Sequence, residues 1–232
     1  MISVVIPVYN RKEVLLRSLA SLEIQTFHDF EVIIVDDGSS PAIRLQTTDY
    51  RFPIEFVRQE NKGAPSARNK GFSLSKGEYV IFWDADLIAE PNMLEKMLEA
   101  LDSHPEASFA YSNFTFGKKK MPGVAFDVKA LQKRNYIVTS SLIRRKDVIT
   151  WDESLKKFQD WDYFLTLSEQ GKKGVWIEEY LFDIEVGGTM SEWLPRCAYH
   201  APIKWLPGIA KRVKKYERAK KIIQQKHYLS DD

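Results

Sequence analysis

The stretch Glu31-Val32-Ile33-Ile34-Val35-Asp36-Asp37-Gly38-Ser39-Ser40 decides the fold class. Four β-branched residues stand in a row with no polar residue between them. A run of this kind reads as a strand covered on both faces, not one that turns alternate side chains to water. The Asp-Asp-Gly-Ser that follows closes it in a turn, where Asp and Gly supply the backbone conformations required. Runs of the same character lie at Ser3–Val8 and Glu78–Trp83, and Ile54–Val57 is a candidate for one more strand. Helical patterns over Arg11–Leu22, Ala64–Ser75 and Pro91–Leu101 alternate with them, with Pro91 suited to a first helical turn. Strands alternating with helices predict an α/β chain with a Rossmann-like, mostly parallel sheet flanked by helices. Ligands of such sheets collect beyond the carboxyl ends of the strands. The loops that begin at Val8, Val35 and Trp83 are therefore where a site is expected.

The rest of the chain is less regular. Ala107–Ser112, Ile137–Ile143 and Val175–Ile177 read as strands, Asp160–Glu169 as a helix, and Gly187–Ser191 as a mobile loop. The expected organisation is one domain with a first half over 1–105, a second half over 106–202 and a basic segment over 203–232. With 232 residues, 44% hydrophobic and 12% aromatic, the chain can bury a substantial core, which argues against overall disorder. Its apolar runs are far shorter than the ~20 residues of a spanning helix. No basic region followed by an apolar stretch opens the chain, and Cys197 is its only cysteine. These features fit a cytoplasmic compartment. The net charge of +2 divides into +8 over residues 203–226 and −6 over the remainder. An acidic body can hold a cation, and a basic helix over 205–226, apolar at Ile209, Val213, Tyr216, Ala219 and Ile223, can meet an anionic surface.

Five short motifs bear chemistry. In Trp83-Asp84-Ala85-Asp86 the two acids sit two residues apart at a strand end, and in extended backbone they would point the same way. Such a pair suits Mg²⁺ or Mn²⁺ shared with substrate phosphates, or else it is a solvated acidic turn. Asp36 and Asp37 can accept from ribose hydroxyls or a base N–H, or can simply build the turn. Pro7-Val8-Tyr9-Asn10 can approach a nucleotide with its backbone, or Asn10 can cap the following helix. Asn61-Lys62-Gly63-Ala64-Pro65-Ser66-Ala67-Arg68-Asn69 places Arg68 within a helix. There it can reach a diphosphate, brace the Asp84/Asp86 pair, or form an ordinary surface ion pair. In Phe158-Gln159-Asp160-Trp161-Asp162-Tyr163, Asp160 is a helix cap or a general base, with Asp162 facing elsewhere.

Taken in order, SVVIPVYN, QTFHDFEVIIVDDGSS, NKGAPSARNKGFSLSKGEYVIFWDADL and FQDWDYFLTL closely resemble the family-2 inverting glycosyltransferases of GT-A fold, in the subgroup similar to the spore-coat polysaccharide enzyme. The likeness is dense over residues 2–115 and looser over 135–190. It implies that Asp36 and Asp37 meet the uracil and ribose of a nucleotide-sugar. It also implies that Pro7, Tyr9, Asn10, Asn61 and Arg68 line the nucleotide pocket. Asp84 would bind ribose and metal, Asp86 would be the more direct ligand of Mn²⁺ or Mg²⁺, and Asp160 would be the catalytic base. The chain departs from the family pattern at Gln159, which replaces an acid, and at Leu87 after Asp86. The Gly187-Gly188-Thr189 loop lacks a basic residue. His200 is an extra candidate ligand, with a structural role as the alternative.

The implied reaction moves a hexose or N-acetylhexosamine from a nucleoside-diphosphate sugar, with uridine the expected nucleoside, to a hydroxyl of a carbohydrate or glycolipid acceptor. Polysaccharide or glycoconjugate synthesis is its setting. The basic segment has three readings: a helix packed on the body, a peripheral contact with the inner face of a membrane, or a homodimer surface. Nucleic acid is not an expected partner. Two rival functions compete with this one. A sugar-phosphate nucleotidyltransferase would carry a glycine-rich loop after the first strand, which Pro7-Val8-Tyr9-Asn10-Arg11-Lys12 lacks. A catalytically silent interaction protein has no need of Asp84, Asp86 and Asp160.

Overall fold

The apolar runs become the centre of a single sheet. The structure, a computed structural model, describes residues 1–185 and 206–229. The 187–191 loop, Trp193, Cys197, His200 and Trp205 lie outside the described residues. Strands β1 (Ile2–Val8), β2 (Phe30–Asp36), β3 (Ile54–Arg58) and β4 (Tyr79–Phe82) form its parallel part, in the order β3-β2-β1-β4. Helices α1 (Lys12–Glu23) and α2 (Ala64–Leu74) connect them. The sheet continues past residue 105 without a break. After β5 (Leu87–Ala89) and α3 (Met93–Ser103) come β6 (Phe109–Phe116), β7 (Lys119–Met121), α4 (Val128–Lys133), β8 (Leu142–Arg144), α5 (Gln159–Glu169), β9 (Gly174–Ile184) and α6 (Pro207–Lys226). The full order is β3-β2-β1-β4-β8-β6-β9-β5, with β7 beside β6, and β8 pairs antiparallel with both neighbours.

Burial follows the period of two that strands impose. In β1, Ile2, Val4, Ile6 and Val8 face α1 and α3 and join Leu15, Leu19, Met93 and Met97. Val5 faces the other way, with Ala67 of α2 and Phe164 of α5. Val32 and Ile34 of β2 share the first face, and Ile33 and Val35 the second. Each such aliphatic side chain contributes roughly 1.5–3 kcal/mol on full burial. Helix α2 lies so close to the sheet that a Cβ on Gly71 would come 2.3 Å from Cγ1 of Val5.

Three expectations are corrected. Pro91 does not start a helix, because α3 begins at Met93 with Asn92 as its N-cap. Of Ile137–Ile143 only Leu142 and Ile143 become strand, in β8. The residues before them are drawn off the sheet: Thr139 turns its hydroxyl to Asp84, and the carbonyl of Val138 accepts from Ser141. Asp84–Leu87 is a turn closed by the Leu87 amide on the Asp84 carbonyl at 3.0 Å, not extended backbone. That turn reverses the chain into β5, which pairs with β9.

Helix α6 is docked on the body. Val213 and Ile223 are fully buried, and Tyr216 meets Phe158 edge-on at 5.1 Å. Beyond its last turn, His227 sits between Asp162 at 2.9 Å and Glu169 at 2.8 Å. Lys226 reaches Asp162 at 2.7 Å and Asp152 at 2.6 Å. The outward face keeps the charge, with Lys211, Lys214, Lys215 and Arg218 exposed.

Candidate active site

Register brings the strand ends together. Val8 is opposite Asp36, Val5 is opposite Phe82, and the Trp83 amide donates to the Val5 carbonyl at 2.8 Å. The loops after β1, β2 and β4 therefore open side by side into one cleft of about 650 Å³. Pro7, Tyr9, Asp37, Arg68, Asp84, Asp86 and Asp160 line it, and Asn10, Asp36 and Asn61 do not.

The three outside the cleft hold its rim. Asn10 takes up left-handed backbone, φ 54°, a conformation Asn tolerates better than most residues. It ties two loops: its amide donates to Ser39 Oγ at 2.8 Å, and its Oδ1 accepts from the Ser40 amide at 2.7 Å. It is not the cap of α1, whose N-cap is Arg11. Asp36 is fully buried and accepts from the amides of Ser39 at 2.9 Å and Ile43 at 3.4 Å, with Arg58 nearby at 3.8 Å. Asn61 is pressed against Gly38. That glycine has φ +81°, and a Cβ there would come 2.8 Å from the Asn61 nitrogen.

Asp37 follows Asp36 along β2, so its side chain falls on the opposite side. It accepts from Gln59 at 2.9 Å and from the amides of Lys62 at 2.9 Å and Gly63 at 2.8 Å. The carboxylate thus fixes the loop that launches α2 while forming part of the cleft wall.

Arg68 is buried, not a surface ion pair. It donates to Asp84 and to Gln159 Oε1, each at 3.0 Å, and its guanidinium stacks on Trp151 at 4.7 Å. Gln159 thus supplies a neutral acceptor for a buried guanidinium. Asp84 also accepts from Thr139 at 2.7 Å. Asp86 accepts from Arg11 at 2.6 Å. Burial raises the Asp86 carboxyl above its ordinary pKa and the nearby Asp84 charge adds to this, while the hydrogen bond and charge of Arg11 oppose it. Asp84 and Asp86 put carboxylate oxygens of two side chains on one cleft wall, each paired with an arginine, and hard oxygen donors of this kind fit a divalent ion. Among the described residues, no third His, Cys, Asp or Glu completes a protein-only metal cage. That suits an ion which takes its other ligands from phosphate and water.

Asp160 is the second residue of α5, after the left-handed Phe158 at φ 58°. It is not the N-cap. Its Oδ1 accepts from the Trp161 amide at 2.9 Å. Burial raises its pKa, with a smaller push from Asp84, while the nearby Asn135 side chain, the Trp161 amide and the charge of Arg68 favour the charged form. Asp162 points away into the α6 clasp. The sequence reading missed Arg11, Thr139 and Asn135, and it missed that Tyr216 and Lys220 of α6 line the cleft. Of these only Tyr216 stands in a spaced pattern, the apolar stripe of the basic helix. Tyr111, Trp151 and Trp161 are at most 2% exposed and serve the core, which leaves them little surface for stacking on a sugar ring.

The profile of the family described as Glycosyl transferase family 2 matches residues 3–148, more than half of the chain. The chain is 30% identical over 185 residues to an uncharacterised glycosyltransferase of Haemophilus influenzae, covering 73% of this chain and 63% of that protein. The fold is shared with S. aureus TarS 1–349 in complex with UDP-GlcNAc, at TM-score 0.66, 20% identity, 84% of this chain and 61% of that one. It is shared as well with the mannosyltransferase PcManGT of Pyrobaculum calidifontis in complex with GDP-Man and Mn²⁺, at TM-score 0.64, 16% identity, 81% of this chain and 57% of that one. The chain belongs to glycosyltransferase family 2, and its fold is GT-A. It spans less than two thirds of the length of each of these three proteins.

Proposed function

We propose that this cleft transfers a sugar from a nucleoside-diphosphate donor, uridine first among the candidates, to a hydroxyl of a carbohydrate or glycolipid acceptor, with inversion at the anomeric carbon. The observation that carries the reading is the convergence of Asp37, Asp84, Asp86 and Asp160, from separate loops and one helix, in a single cleft. TarS and PcManGT, crystallised with UDP-GlcNAc and with GDP-Man, make a nucleotide-sugar the natural occupant.

Asp37, Tyr9 and Pro7 meet the nucleoside. Asp84 and Asp86 would hold Mn²⁺ or Mg²⁺. A bound ion supplies Lewis-acid stabilisation of the charge that develops on the leaving diphosphate. Arg68 keeps Asp84 in place from behind. Asp160 takes the proton of the acceptor hydroxyl as that oxygen attacks. A base whose pKa is lifted by burial is stronger than an ordinary carboxylate, so it suits that proton transfer. Such catalysis is typically worth 10²–10⁴-fold. Synthesis of a polysaccharide or glycoconjugate on the cytoplasmic side is the setting that goes with this chemistry.

Asp160→Asn tests the assignment, because it keeps the shape and removes the basicity. Calorimetry should find nucleotide affinity within about a factor of two of wild type, while turnover of the donor falls by at least ~10². Near-wild-type turnover in Asp160→Asn would remove the base from the mechanism.

A further inference from the structure

The cleft is charged unevenly. Asp84 and Asp86 are already answered by Arg68 and Arg11. The same cleft is lined by Lys133 and Arg134 at the end of α4, Lys156 four residues before Asp160, and Lys220 of α6. None of these four has a carboxylate partner among the described residues. Asn135, which lines the same cleft and favours the charged form of Asp160, directly follows Arg134. Helix α6 lies beyond the segment matched to the family, yet Val213, Ile223 and the Lys226/His227 clasp pin it down. Lys220 is therefore part of the cleft wall and not of a loose tail.

Cations from three separate elements gathered at one mouth repel each other unless an anion enters. The donor diphosphate is placed at the Asp84/Asp86 end, and the acceptor hydroxyl must come to Asp160. We infer that the acceptor carries a phosphate ester near its accepting hydroxyl, and that Lys133, Arg134, Lys156 and Lys220 form the subsite for it. This rests on the glycosyltransferase reading and names the acceptor class within it. Charge-assisted hydrogen bonds from Lys and Arg to phosphate oxygens are the recognition chemistry. The phosphate has two sources: a soluble sugar phosphate, or a phospholipid-type headgroup at a bilayer, whose anionic surface the exposed Lys and Arg of α6 would also attract.

The test uses the full chain, with UDP and Mn²⁺ present throughout. Saturation-transfer NMR compares glucose 6-phosphate with glucose, and co-sedimentation compares phosphatidylcholine vesicles with and without phosphatidylglycerol. One arm should favour the phosphate-bearing or anionic probe by about tenfold, the worth of one charge-assisted hydrogen bond. A gain confined to glucose 6-phosphate assigns the soluble source, and a gain confined to the anionic vesicles assigns the lipid. The Lys156→Glu/Lys220→Glu double variant should erase that preference and leave the calorimetric Kd for UDP within about twofold, since reversing charges that do not touch the donor changes its binding little. Wild-type protein without preference in either arm overturns the inference. So does a double variant that loses UDP, because the cations then serve the donor. A wild type that binds no nucleotide in the calorimeter instead overturns the reading on which the inference rests.

Discussion

Asn135 is the residue that no motif announced, and its placement sets the chemistry of Asp160. Its side chain favours the charged form of the carboxylate, while its own Oδ1 is buried without a partner among the described residues. Because burial raises the pKa of Asp160, the acid limb of the kcat/KM profile should lie above the ordinary carboxylate value near 4. Asn135→Ala removes a group that stabilises the charge, so that limb should move to higher pH. An unchanged limb would mean another group is being titrated. Arg68→Met strands Gln159 and leaves Asp84 with Thr139 alone. Urea unfolding should show a loss of about 1–3 kcal/mol, together with weaker nucleotide binding. At this scale the sequence was legible where acids follow strands. Asp37, Asp84 and Asp86 line the cleft, because strand ends in a parallel sheet face one edge, and Asp160 joins them from the first turn of α5. It was illegible for Asp36 and Asp37 as a pair. Adjacent strand residues face opposite ways, and only the register tells which of the two turns inward.

Helices and strands were legible in proportion to their burial pattern. β1, β2, β4, α1 and α2 are near their expected bounds because every residue of their apolar runs has a core to enter. The 137–141 segment was misread as strand, because its apolar residues are used by the turn that delivers Thr139 to Asp84. Gly71→Ala tests the close contact of α2 with β1. A methyl group driven against Val5 should lower the urea-derived stability by about 1–3 kcal/mol, whereas a gain would show that the helix can lift at no cost. The α6 clasp is pH-sensitive. Burial alone would lower the pKa of His227, but its bonds to Asp162 and Glu169 outweigh that and raise it. A raised pKa gives stability that is complete below the unfolded value near 6.5 and is lost as pH climbs through the folded value. The wild type should therefore be more stable to urea at about pH 6 than at about pH 8.5. His227→Gln should flatten that slope, and an equal slope in both proteins would contradict the clasp.

Over the whole molecule, one sheet joins a parallel half, which opens the loops of Asp37 and Asp84, to a mixed half, whose connections bring Asn135 and Asp160 into the same cleft. The parallel half was legible in its period and its turns. The order of β8, β6, β9 and β5 was not, since those strands pair across long separations and two of them are three residues long. The docking of α6 was one of three open readings. Its apolar stripe, not its charge, identified it, with Val213 and Ile223 entering the core. The central claim is that carboxylates from separate strand ends act together on a cation-bridged nucleotide. Calorimetric titration of UDP and GDP with and without Mn²⁺, on wild type and Asp86→Ala, tests it most directly. The account predicts nucleotide binding that strengthens by at least about tenfold with Mn²⁺, a gain of roughly 1.4 kcal/mol, and a gain that Asp86→Ala abolishes. Binding indifferent to both Mn²⁺ and Asp86, or no binding of either nucleotide, would contradict it.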